Sequence, residues 1–116
     1  MSRKQTSKAE FRRFVNECKR LIPVLNLGDW SIYFEHKKGN SRYAYTSTDV
    51  RGRVAMIVFS SDRYQELDII ATARHEMLHL LLSTYEELAL RRKRPDNYVL
   101  SMENERIVVV LEKVIR

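Results

Sequence analysis

Hydrophobic positions in this chain fall into two periods, and the points where one gives way to the other lay out its elements. Phe11, Phe14, Val15, Cys18, Leu21 and Ile22 follow the three-and-four spacing of one helix face. Ser7 and Glu10 stand just ahead of that stripe in the order of a capping box. A helix is therefore predicted from Ser7 to about Leu21, with Pro23 and Gly28 ending it. From Trp30 the period drops to two. Trp30, Ile32, Phe34 and His36 fall on one side and Ser31, Tyr33 and Glu35 on the other, which is a strand. Lys37 to Asn40 reads as a turn. Tyr43–Asp49 and Arg53–Ser60 read as two more strands, joined across Arg51 and Gly52 as a hairpin. Val54 to Phe59 is almost continuously apolar, so this is the strand expected to be best buried.

After Ser60 the helical period returns. Ser61 to Leu90 contains neither Gly nor Pro, Ser61 or Asp62 can cap its start, and Ile70, Ala73, Met77 and Leu81 form one stripe. A loop around Arg91–Asp96 leads to a last helix over about Asn97 to Ile115. Asp96 is its expected N-cap, and Ile107, Val110, Leu111 and Val114 are its expected apolar face. The order predicts one α+β domain over residues 1–116: an N-terminal helix, a small three-stranded, mainly antiparallel sheet, a long helix and a C-terminal helix, with the helices against one face of the sheet.

Composition narrows the setting. A chain of 116 residues supports one core and not two. The single cysteine, Cys18, excludes an internal disulfide and fits a reducing compartment. Its place on the first helix's stripe makes it a packing residue. The basic N-terminus has no apolar run behind it, so neither a signal peptide nor a membrane span is expected, and the expected location is cytoplasmic. Lys and Arg outnumber Asp and Glu by 21 to 15, a net charge of +6. The excess sits at Arg3, Lys4, Lys8, Arg12, Arg13, Lys19 and Arg20, and again at Arg91 to Arg94. Such patches favour weak contact with nucleic acid or acidic partners, although no nucleic-acid motif accompanies them and a solvated basic face explains them as simply. Nothing in the pattern specifies an oligomeric state.

The long helix carries the chemistry. His75-Glu76-Met77-Leu78-His79 reads H-E-x-x-H. Four residues of α-helix turn through about 400°, so the two histidines project from one face, one turn apart. That spacing lets both imidazoles bind one Zn²⁺, with Glu76 beside it as a general base. A catalytic zinc takes three protein ligands and leaves a position for water. No histidine follows His79, and His36 lies upstream in a strand, so a downstream carboxylate is the expected third ligand. Glu86 and Glu87 follow too closely on the same helix. The last helix offers Glu103 and Glu105, and periodicity places Glu103 nearer its expected apolar face.

On these residues the chain resembles the zincin metallopeptidases, over about 45 residues and specifically only at H-E-x-x-H. It departs from the metzincin branch, which continues as H-E-x-x-H-x-x-G-x-x-H: Leu82 stands at that glycine and Tyr85 at the third histidine. It is closer to the gluzincins, whose third ligand is a Glu from a second helix. Thermolysin-like families carry N-E-x-x-S-D there. Asn104-Glu105 matches the first two residues, while Val108 and Val109 replace the Ser and the Asp that orients a ligating histidine. The resemblance thus implies His75, His79 and Glu105 as zinc ligands, with Glu103 the alternative, and Glu76 as catalytic base. Minimal proteins of this pattern are frequent in phages and prophages, where the location becomes the host cytoplasm. A distant similarity to ImmA/IrrE-type metallopeptidases implies a protein or peptide substrate such as a regulator. The alternative is a zincin-fold zinc-binding module, regulatory or associated with nucleic acid, without efficient proteolysis.

Overall fold

The computed structural model describes residues 4–39, 42–63, 68–92, 105–112 and 115. In chain order these form β1 (Lys4–Gln5), α1 (Lys8–Val24), β2 (Ser31–Lys37), β3 (Ala44–Asp49), β4 (Val54–Ser60), β5 (Asp62–Arg63), α2 (Ile69–Arg92) and a helix over residues 105–112, α3. The class is α+β, in the element order expected.

The capping box of α1 is present. Glu10 N–H donates to Ser7 Oγ at 3.0 Å, and Ser7 N–H donates to Glu10 Oε1 at 2.9 Å. The helix runs past Pro23 and ends in a Schellman motif rather than at Gly28. Leu27 N–H donates to Ile22 O at 2.8 Å and Asn26 N–H to Pro23 O at 3.2 Å, with Asn26 at φ 57°. Asparagine tolerates the left-handed conformation this termination requires, so no glycine is needed.

The three-stranded sheet has the order β2-β4-β3. β3 and β4 form the expected antiparallel hairpin, with Ala44 opposite Phe59 and Thr46 opposite Ile57. β2 pairs with β4 in parallel, Phe34 opposite Ile57, so the sheet is mixed and the apolar β4 takes its centre. A strand buried between two neighbours is where a run such as Val54–Phe59 is least costly. β2 and β3 are the two edges. Ile32, Phe34 and His36 of β2, Ala55, Ile57 and Phe59 of β4, and Ala44 and Thr46 of β3 share the face that α1 and α2 cover. Phe59 is wholly buried there, its ring 4.7 Å from that of Phe14 on α1. Tyr33, on the other face, is 56% exposed.

His36 also belongs to this packing. It stacks on Phe11 at 5.0 Å, and its Nε2 lies 2.7 Å from Thr6 Oγ1. The Thr6 hydroxyl donates to Ser60 O at 2.6 Å, so Nε2 carries the proton in that contact. Burial pushes the His36 pKa down.

α2 starts later than its capping residues suggested. Ser61 and Asp62 are taken by tertiary pairing: Ser61 O accepts from Thr6 N–H at 2.9 Å, and β5 pairs antiparallel with β1. Asp68 caps the helix instead, its Oδ1 accepting from Ala71 N–H at 3.0 Å. The stripe that enters the core is Ile69, Ala73, Met77 and Leu80, with Leu81 half-buried against it, so Ile69 stands where Ile70 was expected. On the other flank of the core, Arg74 Nε donates to Glu17 Oε2 of α1 at 2.9 Å, and Arg20 shares the same carboxylate. The Arg20 hydrogen bond, helped by Arg74, holds the Glu17 carboxyl below the usual range.

Phe59 sits where α1 meets the sheet, so Phe59→Ala should lower stability by about 3–5 kcal/mol. Urea unfolding followed by far-ultraviolet circular dichroism measures it. A loss under 1 kcal/mol would show that the core is not organised around this ring.

Candidate metal centre

The rotation of α2 fixes what faces the cleft. With Ala73, Met77 and Leu80 in the core, each residue turns by about 100°, which places the histidines on the opposite side of the helix. Glu76 falls between the two sides, about 160° from Arg74. It is therefore carried toward β3 while Arg74 is carried toward α1. The side chains of His75 and His79 retain 30% and 28% exposure, but Glu76 is buried.

α3 completes the group. His79 Nε2 lies 2.6 Å from Glu105 Oε1, His75 Nε2 lies 3.6 Å from the same oxygen, and the two Nε2 atoms are 3.1 Å apart. Among the described residues, His75, His79 and Glu105 form the group whose donor atoms could hold one metal ion. The fit can be judged from donor chemistry. Zinc–nitrogen and zinc–oxygen bonds of roughly 2.0–2.1 Å give a tetrahedral edge of about 3.3 Å, and the three separations bracket it. Two imidazoles and one carboxylate are also a donor set that zinc takes in catalytic sites.

Glu112 supplies a function the sequence had left open. Its Oε1 is hydrogen-bonded to His75 Nδ1. An ionised carboxylate only accepts, so Nδ1 carries the proton and the Nε2 lone pair points toward Glu105 and His79. Glu112 follows Glu105 by seven residues, which brings the two within about 20° on a helical wheel. The centre of this face is Val108, which is fully buried, while Val109 and Val110 are 46% and 51% exposed. Val110 was expected on the inner face and stands on the outer one. Ile107 and Leu111 of the same expected face are half-buried, so periodicity located that face except at Val110 and did not register the two carboxylates it also carries. Glu103, Asp96 and Val114 lie outside the described residues.

Glu76 is held from the sheet. Thr46 Oγ1 on β3 donates to Glu76 Oε1 at 2.6 Å. Burial pushes the Glu76 carboxyl above the usual carboxylate range, against the Thr46 bond and the two nearby histidines, while Glu105 adds to the rise. Cys18, directly beneath α2, is fully buried, and burial also pushes its thiol up. A cleft of about 560 Å³ opens beside the site between β3 and α2, lined by Thr46, Thr48, His75, Glu76, His79 and Glu105 among others. A second hollow of about 350 Å³ continues past His75 and Glu76 toward Tyr43, Ala71 and Thr72.

Neither Thr46 nor Glu112 was singled out in the sequence. The seven-residue spacing of Glu105 and Glu112 was the available signal for the second; a threonine in a strand offers none. Of the side chains with the right chemistry to assist a reacting carbonyl, Arg42 and Tyr45 line the cleft, Arg74 is committed to Glu17, Tyr85 is 58% exposed and does not line it, and Tyr64 and Tyr98 lie outside the described residues. Arg12, Arg13 and Lys19 are exposed on α1, and the side chains of Arg91 to Arg94 lie outside the described set. No helix among the described residues is long and apolar enough to cross a membrane. Comparison with family models, with curated proteins and with solved structures gives no match.

Removing the partner of a ligating imidazole loosens the ligand. Glu112→Gln should therefore lower zinc affinity by about 10- to 100-fold without unfolding the chain. Competition with a chromophoric chelator reads this directly. Unchanged affinity would reduce Glu112 to a surface ion pair.

Proposed function

We propose that the protein is a zinc-dependent peptidase that hydrolyses peptide bonds of a protein partner. The observation that carries this reading is the convergence of His75 Nε2, His79 Nε2 and Glu105 Oε1 on one point, with the buried Glu76 carboxylate alongside and a cleft open to it. When bound, zinc supplies a Lewis acid for the scissile carbonyl and lowers the pKa of water toward neutrality.

The chain's own groups would then do the following. Glu112 keeps His75 in the tautomer that leaves Nε2 free to coordinate. Glu76 accepts a proton from the attacking water and delivers it to the leaving amine. Its raised pKa makes that carboxylate a stronger base toward the water proton than an ordinary one. β3 is an edge strand beside the cleft, and an extended peptide can add to such an edge through main-chain hydrogen bonds. The partner proposed is a regulator in the cytoplasm, the host's if the chain is phage-encoded, on the strength of the zincin resemblance and the lone buried Cys18.

Purified protein should hold about one zinc, since the three side chains make a full catalytic ligand set. His75→Ala, His79→Ala and Glu105→Gln should each remove most of it. A wild type free of zinc after reconstitution would defeat the reading.

Glu76→Gln separates an enzyme from a binding module. The amide cannot accept the water proton, so turnover should fall by on the order of 10²–10⁴-fold while zinc content and fold persist. Mass spectrometry of new termini in a co-expressed proteome makes the comparison. Identical terminus profiles from wild type and variant would favour a zinc-binding regulatory or nucleic-acid-associated module.

A further inference from the structure

We infer that Thr46 is a positioning residue that holds the substrate backbone and the catalytic base at once. The inference rests on the peptidase reading for its chemistry and on the sheet for its geometry. Tyr43 O accepts from Ser60 N–H at 2.7 Å, so residues 43 and 60 form a hydrogen-bonded pair at the end of the antiparallel ladder. In such a ladder hydrogen-bonded and non-hydrogen-bonded pairs alternate. From the register, residues 45, 47 and 49 exchange bonds with 58, 56 and 54 of β4. Ala44, Thr46 and Thr48 consequently turn their main-chain N–H and C=O groups outward, to the free edge. The parallel side agrees. Ser31 N–H donates to Arg53 O and Ser61 N–H to Lys37 O, so the odd-numbered residues of β4 face β2 and the even-numbered ones face β3.

Side chains alternate with the same parity. Thr46 therefore presents its hydroxyl to the helix-covered face, where it donates to Glu76 Oε1, and its N–H and C=O to the edge on which a peptide would pair. One residue thereby sets the distance between the paired peptide and the carboxylate. With Oε1 engaged by Thr46, Oε2 is the oxygen left to take a proton from water. Glu76 is buried and lies one residue from a ligand, so a free rotation of its carboxyl group would carry the base out of line. Ala44 and Thr48 share the outward parity, but neither gives Glu76 a hydrogen bond.

The test uses the zinc-loaded full chain with Thr46→Val, which keeps the shape and removes the hydroxyl, and Thr46→Ser, which restores it. The probe is the peptide that wild type cuts fastest from a proteome-derived library. Thr46→Val should retain zinc and lose about 10- to 100-fold in kcat with KM nearly unchanged, because misaligning a reacting group costs rate more than binding. Thr46→Ser should recover most of that loss, and Thr46→Val should add nothing to Glu76→Gln. Crystal structures of the two zinc-loaded proteins give a readout independent of turnover: the Glu76 carboxylate should rotate or split into conformers in Thr46→Val and stay fixed in Thr46→Ser. A Glu76 that keeps its orientation in Thr46→Val overturns the inference, as does a serine variant as slow as the valine one. If wild type cleaves nothing, or its cleavage ignores Glu76→Gln, the peptidase reading falls, while the crystal comparison still decides whether Thr46 positions the carboxylate.

Discussion

The rotational setting of α2 is the constraint on which the site depends. Ala73, Met77 and Leu80 are fully buried against α1 and the sheet, and Arg74 is paired with Glu17 on the flank toward α1. Turning the helix by one residue, about 100°, would pull these groups out of place and bury a histidine instead. Burial of apolar area makes such a turn costly, and the ion pair adds direction to a fit that apolar packing alone would leave looser. Once the helix is set, His75, His79 and Glu76 have no freedom in where they point, only in which rotamer they adopt.

Those rotamers are decided by two neighbours that reach the helix from different directions. α3 approaches the histidines with Glu105 and Glu112 on one face, and β3 approaches Glu76 with Thr46. The polar groups between the three elements largely satisfy each other: Nδ1 of His75 on Glu112, Nε2 of His79 on Glu105, Oε1 of Glu76 on Thr46. A half-buried polar layer of this kind is costly wherever a partner is missing, because a desolvated donor or acceptor without a bond loses its water for nothing. Two imidazole nitrogens and a carboxylate oxygen crowded within a few ångströms form an arrangement that a divalent cation would relieve. A cation held there would couple its binding to the packing of α3.

The mixed sheet gives the cleft its wall. Placing β4 at the centre leaves β3 as an edge, with α2 packed against the strand and the cleft between them. An antiparallel meander in the order β2-β3-β4 would have put β3 in the middle, its hydrogen bonds consumed on both sides, and the cleft would have had no strand to offer. The parallel pairing of β2 with β4 is thus part of what leaves β3 at an edge of the sheet beside the cleft.

Much of this was legible in the residues themselves. The capping box at Ser7, the core stripe of α1, the alternation of β2, the hairpin of β3 and β4 and the helical H-E-x-x-H all depend on interactions between residues near one another in sequence, and local period and capping chemistry report those directly. The α+β class followed from their order. What the sequence misplaced was decided by contacts between distant segments. Ser61 and Asp62 have the chemistry of helix caps but are held by the N-terminal segment at Thr6 and β1, so α2 begins at Ile69. Val108 is the fully buried residue of α3, whereas apolar periodicity pointed to Ile107, Val110, Leu111 and Val114, of which Ile107 and Leu111 are half-buried and Val110 is exposed. Glu105, the acid that the Asn104-Glu105 match favoured, lies beside both histidines, and Glu103 lies outside the described residues. The parallel pairing of β2, the exposure of the β3 edge, and the roles of Thr46 and Glu112 had no local signal strong enough to read. They arise from which surfaces meet when the chain closes, and hydrogen bonds between residues 30 and 37 positions apart leave no period in the sequence.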